Sequence, residues 1–317
     1  MTIARFIFRR LVGLIITLLV SSFVVFGSLY VAPGSPIGYL TGGRSLPPAT
    51  IASIRAQYHL NDPFLTRYWD WLTGAIHGNF GDSIVFRQPV GPLISARITT
   101  TAMLVAMAAI IILVVGIAAG ALAALRGGRS DSAVLLIGSV GIAVPSFVAA
   151  IVFISVFAVN LGWFPVFGAG SGFVNRLWHL TLPAVALALS ATAFVARVTR
   201  TTMREELARE HVETARTRGI PERLVVRRHV FRNALIPITT VGGLTVASLI
   251  AGSVVVEQAF GLSGIGQFLI QSVNAKDFAA VQAISLILVV AFVLVNTLVD
   301  ITYALIDPRV SLAPARA

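Results

Sequence analysis

The chain has 317 residues, 56% of them hydrophobic and 12% charged, with no cysteine and a formal net charge of +11. Soluble domains carry about 25% charged residues, so polar side chains are too few to coat a water-soluble globule of this length. That excludes an ordinary soluble enzyme, a disordered segment and a disulfide-bonded secreted scaffold, and the missing cysteine removes thiolate catalysis and Cys-ligated metal centres.

The positive charge is carried by arginine, Lys276 being the single lysine. In a soluble chain such a balance would point to nucleic acid. In a bilayer protein it is the bias of basic cytoplasmic loops, and no nucleic-acid partner is expected.

A spanning helix needs about 20 mostly apolar residues, because the hydrocarbon layer is about 30 Å thick and each residue rises 1.5 Å. Six stretches qualify: Leu11–Val31, Thr101–Leu125, Ala133–Ala158, Leu180–Val198, Ile236–Val256 and Val281–Ile306. The first follows Arg5, Arg9 and Arg10 but is too long for a signal-peptide core and lacks a small-x-small cleavage site. It reads as a retained anchor helix, with Pro33 and Pro36 marking its exit turn. The second contains the G-x-x-x-G pair Gly116 and Gly120, which lets another helix approach closely. Pro145 is expected to kink the third.

Orientation follows from the arginines. With the N-terminus inside, the cytoplasmic segments collect Arg5, Arg9, Arg10, Arg126, Arg129, every arginine from Arg197 to Arg232, Arg309 and Arg316. Outside remain Arg44, Arg55, Arg67, Arg87, Arg97, Arg176 and Lys276, mostly in a long loop whose charge counts for little. Both termini are then cytoplasmic, and Trp69, Trp71, Trp163 and Trp178 all fall on the outer side, as interface anchors or loop packing. The chain divides into an N-terminus with the first span (1–31), an extracytoplasmic loop (32–100), a five-helix core (101–306) with a cytoplasmic loop at 199–236, and a cytoplasmic tail (307–317).

Two hydrophilic segments exceed simple connectors. The outer loop contains helix-like pieces, Pro48–Tyr58 and Pro63–Ile76, and a turn-rich patch, Gly78-Asn79-Phe80-Gly81-Asp82-Ser83. The inner segment reads as a helix over Thr201–Arg218, with acid/base neighbours such as Glu206–Arg209, and Glu210 and Glu213 beside Arg209 and Arg216. Gly219 suits its C′ position, Pro221 prevents continuation, a short helix Glu222–Asn233 follows, and Pro237 opens the fifth span. Such a helix–turn–helix buries little alone and needs a partner. Glu205, Glu206, Glu210, Glu213 and Glu222 among the arginines would be repelled by anionic lipid, so the mixed surface favours a protein partner over a lipid-lying hairpin.

At these residues the chain resembles a known family. Glu213-Thr214-Ala215-Arg216-Thr217-Arg218-Gly219 is similar to the EAA loop of bacterial ABC-importer permeases, with Thr214 where the triad has alanine. Arg232-Asn233-Ala234-Leu235-Ile236-Pro237 resembles the form this loop takes in the dipeptide/oligopeptide/nickel branch, as do Val31–Pro36, Gly78–Ser83, Val144–Phe147, Leu161–Pro165, Val254–Gly266 and Asp307-Pro308-Arg309. The resemblance covers nearly the whole chain and is to B-type subunits, whose first outer loop is long.

It implies an all-α membrane protein of the type I importer permease fold with six spanning helices. It also implies a second homologous permease, two ATP-binding subunits and an extracytoplasmic substrate-binding protein as partners in the bacterial plasma membrane. Glu213, Thr214, Ala215, Arg216, Arg218 and Gly219 would form the ATPase-coupling element. The chain itself has no G-x-x-x-x-G-K-[ST] loop, so no cofactor and no catalysis are expected of it, and ATP and magnesium would belong to the partner subunits. The implied cargo is peptide, with haem, nickel chelates or glutathione as alternatives.

Glu257, Asn296 and Asp300 are the polar residues nearest hydrocarbon. They fit a polar translocation path or subunit contact, and equally a solvated position at the interfaces, Glu257 outer and Asp300 inner. His59, His77, His179, His211 and His229 show no ligand spacing, so no metal site is expected. An ATP-independent secondary transporter would show inverted repeats and midplane ionisable groups, and a membrane enzyme a catalytic cluster. The sequence displays neither.

Overall fold

The computed structural model describes residues 3–31, 47–57 and 62–306. The segment 32–46 after the first span, Tyr58 and the tail with Asp307-Pro308-Arg309 lie outside the described residues.

Within them the helices are α1 (Ile3–Val31), α2 (Pro48–Gln57), α3 (Phe64–Ile76), α4 (Val90–Arg126), α5 (Gly128–Ala143), α6 (Ser146–Asn160), α7 (Phe173–Leu207), α8 (Glu210–Thr217), α9 (Glu222–Ala259), α10 (Ile265–Asn274) and α11 (Phe278–Ile306). A two-stranded antiparallel hairpin, β1 (Asp82–Ser83) and β2 (Gln88–Pro89), pairs Asp82 with Pro89 and Ser83 with Gln88. It is a small β element in the loop that the sequence marked only as turn-rich. α10 is likewise an element the sequence did not announce.

Among the described residues five helices are long and apolar enough to cross a membrane, and the pair α5 and α6, bent by 100° at its break, has together the length and composition of a sixth. The expected kink at Pro145 is therefore a break. Val144 is extended (φ −88°, ψ 116°) because a proline disfavours helical geometry in the residue before it. Pro145 then starts α6 as its N-cap (φ −61°, ψ 145°).

The inner segment departs from expectation twice. The helix expected over Thr201–Arg218 is divided. α7 runs unbroken from the membrane to Leu207, and Arg209, extended at φ −80° and ψ 145°, opens the separate α8. Conversely, the short helix expected at Glu222–Asn233 and the fifth span are one helix, α9, with Pro237 inside it. A seven-residue π segment, Val225–Phe231, lies just upstream of that proline. Such wider turns relax the backbone ladder where its regular bonding is interrupted.

α7 is the hub, packing against α4, α5, α6 and α9. The main core gathers Leu104, Ala108 and Ile112 of α4, Ala149 and Ala150 of α6, Ala184 and Leu187 of α7, and Leu249 and Val256 of α9. Alanine dominates because helices in lipid associate by close approach of their backbones. The Gly116/Gly120 pair works this way within the chain, against α7. A Cβ on Gly116 would lie 3.1 Å from the Thr192 carbonyl oxygen, and one on Gly120 2.6 Å from Thr199 Cβ. The opening helix α1 packs on α11 and α3. There Phe26, Tyr68 and Leu72 are buried beside Phe64 and Trp71, and the Ser22 and Tyr68 hydroxyls are 2.9 Å apart.

Candidate functional site

The element singled out by its mixed charge is α8 with the turn after it. Its apolar positions, Val212 and Ala215, are spaced by three and bury 100% and 96% of their surface among Ala124 of α4, Met203 of α7 and Val225, Val230, Ala234 and Ile238 of α9. Three membrane helices thus meet under one short helix. The opposite face, carrying Glu213, Thr214, Arg216 and Arg218, is exposed.

The turn is held by backbone geometry. The Ile220 N–H donates to the Ala215 carbonyl (3.2 Å) and the Gly219 N–H to that of Arg216 (2.9 Å). This is the Schellman pattern, which requires a left-handed residue at C′. Gly219 supplies it at φ +73°. Ile220 packs back onto the same cluster as Ala215, the apolar contact that accompanies the motif. Pro221 follows as the N-cap of α9.

Charge fastens α8 at both ends. Arg216 makes a two-pronged pair with Glu222 across the turn, Nε to Oε2 at 3.1 Å and Nη2 to Oε1 at 2.7 Å, so its principal acid is Glu222 rather than a neighbour on its own helix. That pairing raises the guanidinium's proton affinity. At the other end Glu206, nearly enclosed, meets Arg209 Nε at 3.1 Å and His211 Nε2 at 3.8 Å. His211 Nε2 lies 3.3 Å from both the His229 carbonyl and Asn233 Nδ2, and Asn233 Nδ2 donates to that carbonyl at 2.8 Å. Glu205, Glu210 and Glu213 are exposed.

Of the three polar residues of the membrane core, Glu257 and Asn296 do not converge. Glu257, near the C-terminal end of α9, is fully enclosed. Thr101 Oγ1 donates to its Oε1 (2.6 Å), the Gln267 N–H to its Oε2 (3.1 Å), and Thr101 Oγ1 accepts from the Ile265 N–H (2.9 Å). The pair caps the start of α10 by satisfying backbone donors that a helix leaves free. Glu257 is therefore not solvated at the outer interface. Asn296 donates to the Phe292 carbonyl of its own helix (2.9 Å) and lines a groove of about 410 Å³ with Arg10, Thr17 and Thr297. The Asp300 side chain lies outside the described residues.

Two acids with fixed partners, Asp277 enclosed and Asp131 half-buried, escaped the sequence. Asp277, wholly enclosed between α10 and α11, accepts from Ser83 Oγ and from the Ala280 N–H (3.3 Å), locking the outer hairpin onto the core. Asp131, in the first turn of α5, is held by Arg200 and by Arg204 (2.9 Å) on α7. The turn-rich patch was a visible signal for the hairpin, but nothing local marked its partner. Among the described residues no group of three His, Asp or Glu side chains is placed to hold a metal.

Fold and site together define a multi-pass membrane component that presents a short, firmly seated helix with an exposed charged face on one side. Residues 116–312 match the family described as "Binding-protein-dependent transport system inner membrane component", and residues 3–89 its companion N-terminal family. The chain is 37% identical over 308 residues to the oligopeptide transport system permease protein OppB of Salmonella typhimurium, covering 96% of this chain and 99% of that one. It is 36% identical to the glutathione transport system permease protein GsiC of Escherichia coli K12, covering 96% and 98%. A solved inward-facing structure of the MetNI methionine ABC transporter shares the fold at TM-score 0.55 and 21% identity, covering 68% of this chain and 96% of that one. The chain belongs to the binding-protein-dependent transport inner-membrane family, and is a permease subunit of the ABC-importer type.

Proposed function

We propose that this chain forms half of the translocation pathway of an ATP-driven importer, taking peptides from an extracytoplasmic substrate-binding protein into the bacterial cytoplasm. The other half would be a second, homologous permease, and two ATP-binding subunits would hold the ATP and magnesium, leaving this chain without a cofactor or a catalytic role. Both termini are placed in the cytoplasm by the arginine distribution.

The observation that carries the reading is the seating of α8. Val212 and Ala215 are sunk among the ends of α4, α7 and α9, so force applied to its exposed face reaches three spanning helices without passing through a flexible joint. An ATP-binding subunit gripping Glu213, Thr214, Arg216, Arg218 and the Gly219 turn would rock the pathway between inward- and outward-facing states. Glu257 is less suited to touch cargo, being enclosed.

The test is uptake by the complete transporter in proteoliposomes. Glu213→Arg and Gly219→Pro are expected to abolish peptide uptake and substrate-stimulated ATP hydrolysis while the chain still inserts. Normal stimulated uptake in both variants would sink the coupling assignment. The peptide reading rests on relatives named for oligopeptide and glutathione transport, glutathione being itself a tripeptide. Uptake of haem or a nickel chelate, with no uptake of labelled di- or oligopeptides, would replace it.

A further inference from the structure

An apolar groove of about 300 Å³ runs between α4, α5 and α7, lined by residues such as Ile111, Val115, Ala119, Val134, Gly141 and Leu189. Its lining on α7 runs as far as Ala196, and a basic ladder begins at the next residue. Arg197, exposed, donates from Nη2 to Ser139 Oγ of α5 (2.9 Å), next to the groove-lining Gly138. One turn on, Arg200 and Arg204 share Asp131. The acid facing this ladder from α5 is thus already taken by two arginines, and the partner of Arg197 is a neutral hydroxyl.

Depth gives the ladder its meaning. Trp178, half exposed and stacked on Phe164, has the amphipathic character of a membrane-interface residue. A hydrocarbon layer of about 30 Å corresponds to about 20 helical residues, which carries α7 from Trp178 to the neighbourhood of Arg197 and Arg200. The groove therefore lies within hydrocarbon, and its arginine at the level of the opposite leaflet's phosphates, the cytoplasmic leaflet in the orientation proposed above.

We infer that this groove holds an anionic phospholipid, one acyl chain between α4, α5 and α7 and the phosphate on Arg197. An arginine facing hydrocarbon alone is costly, whereas one beside an apolar channel at headgroup depth complements an anionic amphiphile. The occupant is a lipid rather than cargo because the lining offers almost nothing for a peptide backbone to bond.

The full chain in nanodiscs of mixed phosphatidylglycerol and phosphatidylcholine, released for native mass spectrometry, tests this. Wild type is expected to retain phosphatidylglycerol in preference to phosphatidylcholine. Arg197→Gln should lower that preference about fivefold, since each arginine near an anionic surface contributes about 1 kcal/mol. Arg197→Lys should keep most of it, and Ala119→Phe, which fills the groove, should remove retention of both lipids. A photoactivatable phosphatidylglycerol should label α5 and α7 of the wild-type chain, a result that needs no variant to fold. Unchanged selectivity in Arg197→Gln, labelling elsewhere, or cross-linking of a photoactivatable peptide cargo at position 197 would overturn the inference.

Discussion

Two sets of carboxylates in this molecule are treated in opposite ways. On the side of the β hairpin, Glu257 and Asp277 are wholly enclosed and spend their oxygens on hydroxyls and backbone N–H groups of the same chain. On the opposite side Glu205, Glu210 and Glu213 stand in the open on and beside α8, and Glu222 pairs sideways with Arg216 at the surface. A buried carboxylate is tolerated only when its lone pairs are satisfied, so the enclosed acids are structural by necessity. Exposed acids interleaved with arginines contribute little to folding and remain free to be read by a partner. Enclosed acids thus serve cohesion, while the exposed ones leave a charged face around α8.

That contrast can be broken in order of expected effect. Glu257→Ala leaves Thr101 and the N–H groups at the start of α10 without their acceptor, at about 1–3 kcal/mol for each stranded donor. The purified chain should show a markedly lower thermal midpoint, and hydrogen exchange should rise in α10 before it rises in α8. Equal exchange in both would remove the distinction. Asp277→Ala cuts the tie from the hairpin to the core and should cost less, at the same ~1–3 kcal/mol for each stranded donor, because two donors, the Ser83 hydroxyl and the Ala280 N–H, lose a partner. Glu257, by contrast, serves Thr101 and the N–H groups of Gly266 and Gln267. Exchange should rise at Asp82–Pro89, and limited proteolysis in the 78–90 segment is a convenient readout.

Gly219→Ala tests the turn beside the exposed acids. An alanine held at φ +73° costs about 1–2 kcal/mol, and no atom lies within 4 Å of the added Cβ, so the strain is conformational alone. A small fall in midpoint with a larger fall in coupled uptake is expected; equal losses would make the turn merely structural. The smallest effect belongs to Arg216→Ala. Its pair with Glu222 is exposed, so the thermal midpoint should not move measurably, while affinity for an ATP-binding subunit should fall, as read by co-purification. A clear loss of stability would place Arg216 with the enclosed acids instead.

Local chemistry made much of this legible. The apolar runs gave the spans because hydrocarbon thickness and helical rise leave little choice of length. Gly219 followed by Pro221 announced the turn, and alternating acids and arginines marked α8 as a face for a partner. What stayed hidden required residues far apart in the chain. Thr101 and Glu257 are 156 positions apart and Ser83 and Asp277 194, and no periodicity connects them.

The helix breaks show the same division. That Pro145 interrupts a span follows from the clash of its ring with the preceding residue, but the 100° angle is set by where α5 and α6 find surfaces to pack. Pro237 resembled a helix start because a missing N–H costs nothing there. The structure instead runs α9 straight through it, with Ala234 and Ile238 on either side buried in the cluster beneath α8. Sequence alone determined that the chain must live in a bilayer and which segments cross it, since that depends on the transfer free energy of contiguous residues. Only the tertiary structure decided which acids are enclosed and which are offered outward, because that depends on distant segments arriving to satisfy them.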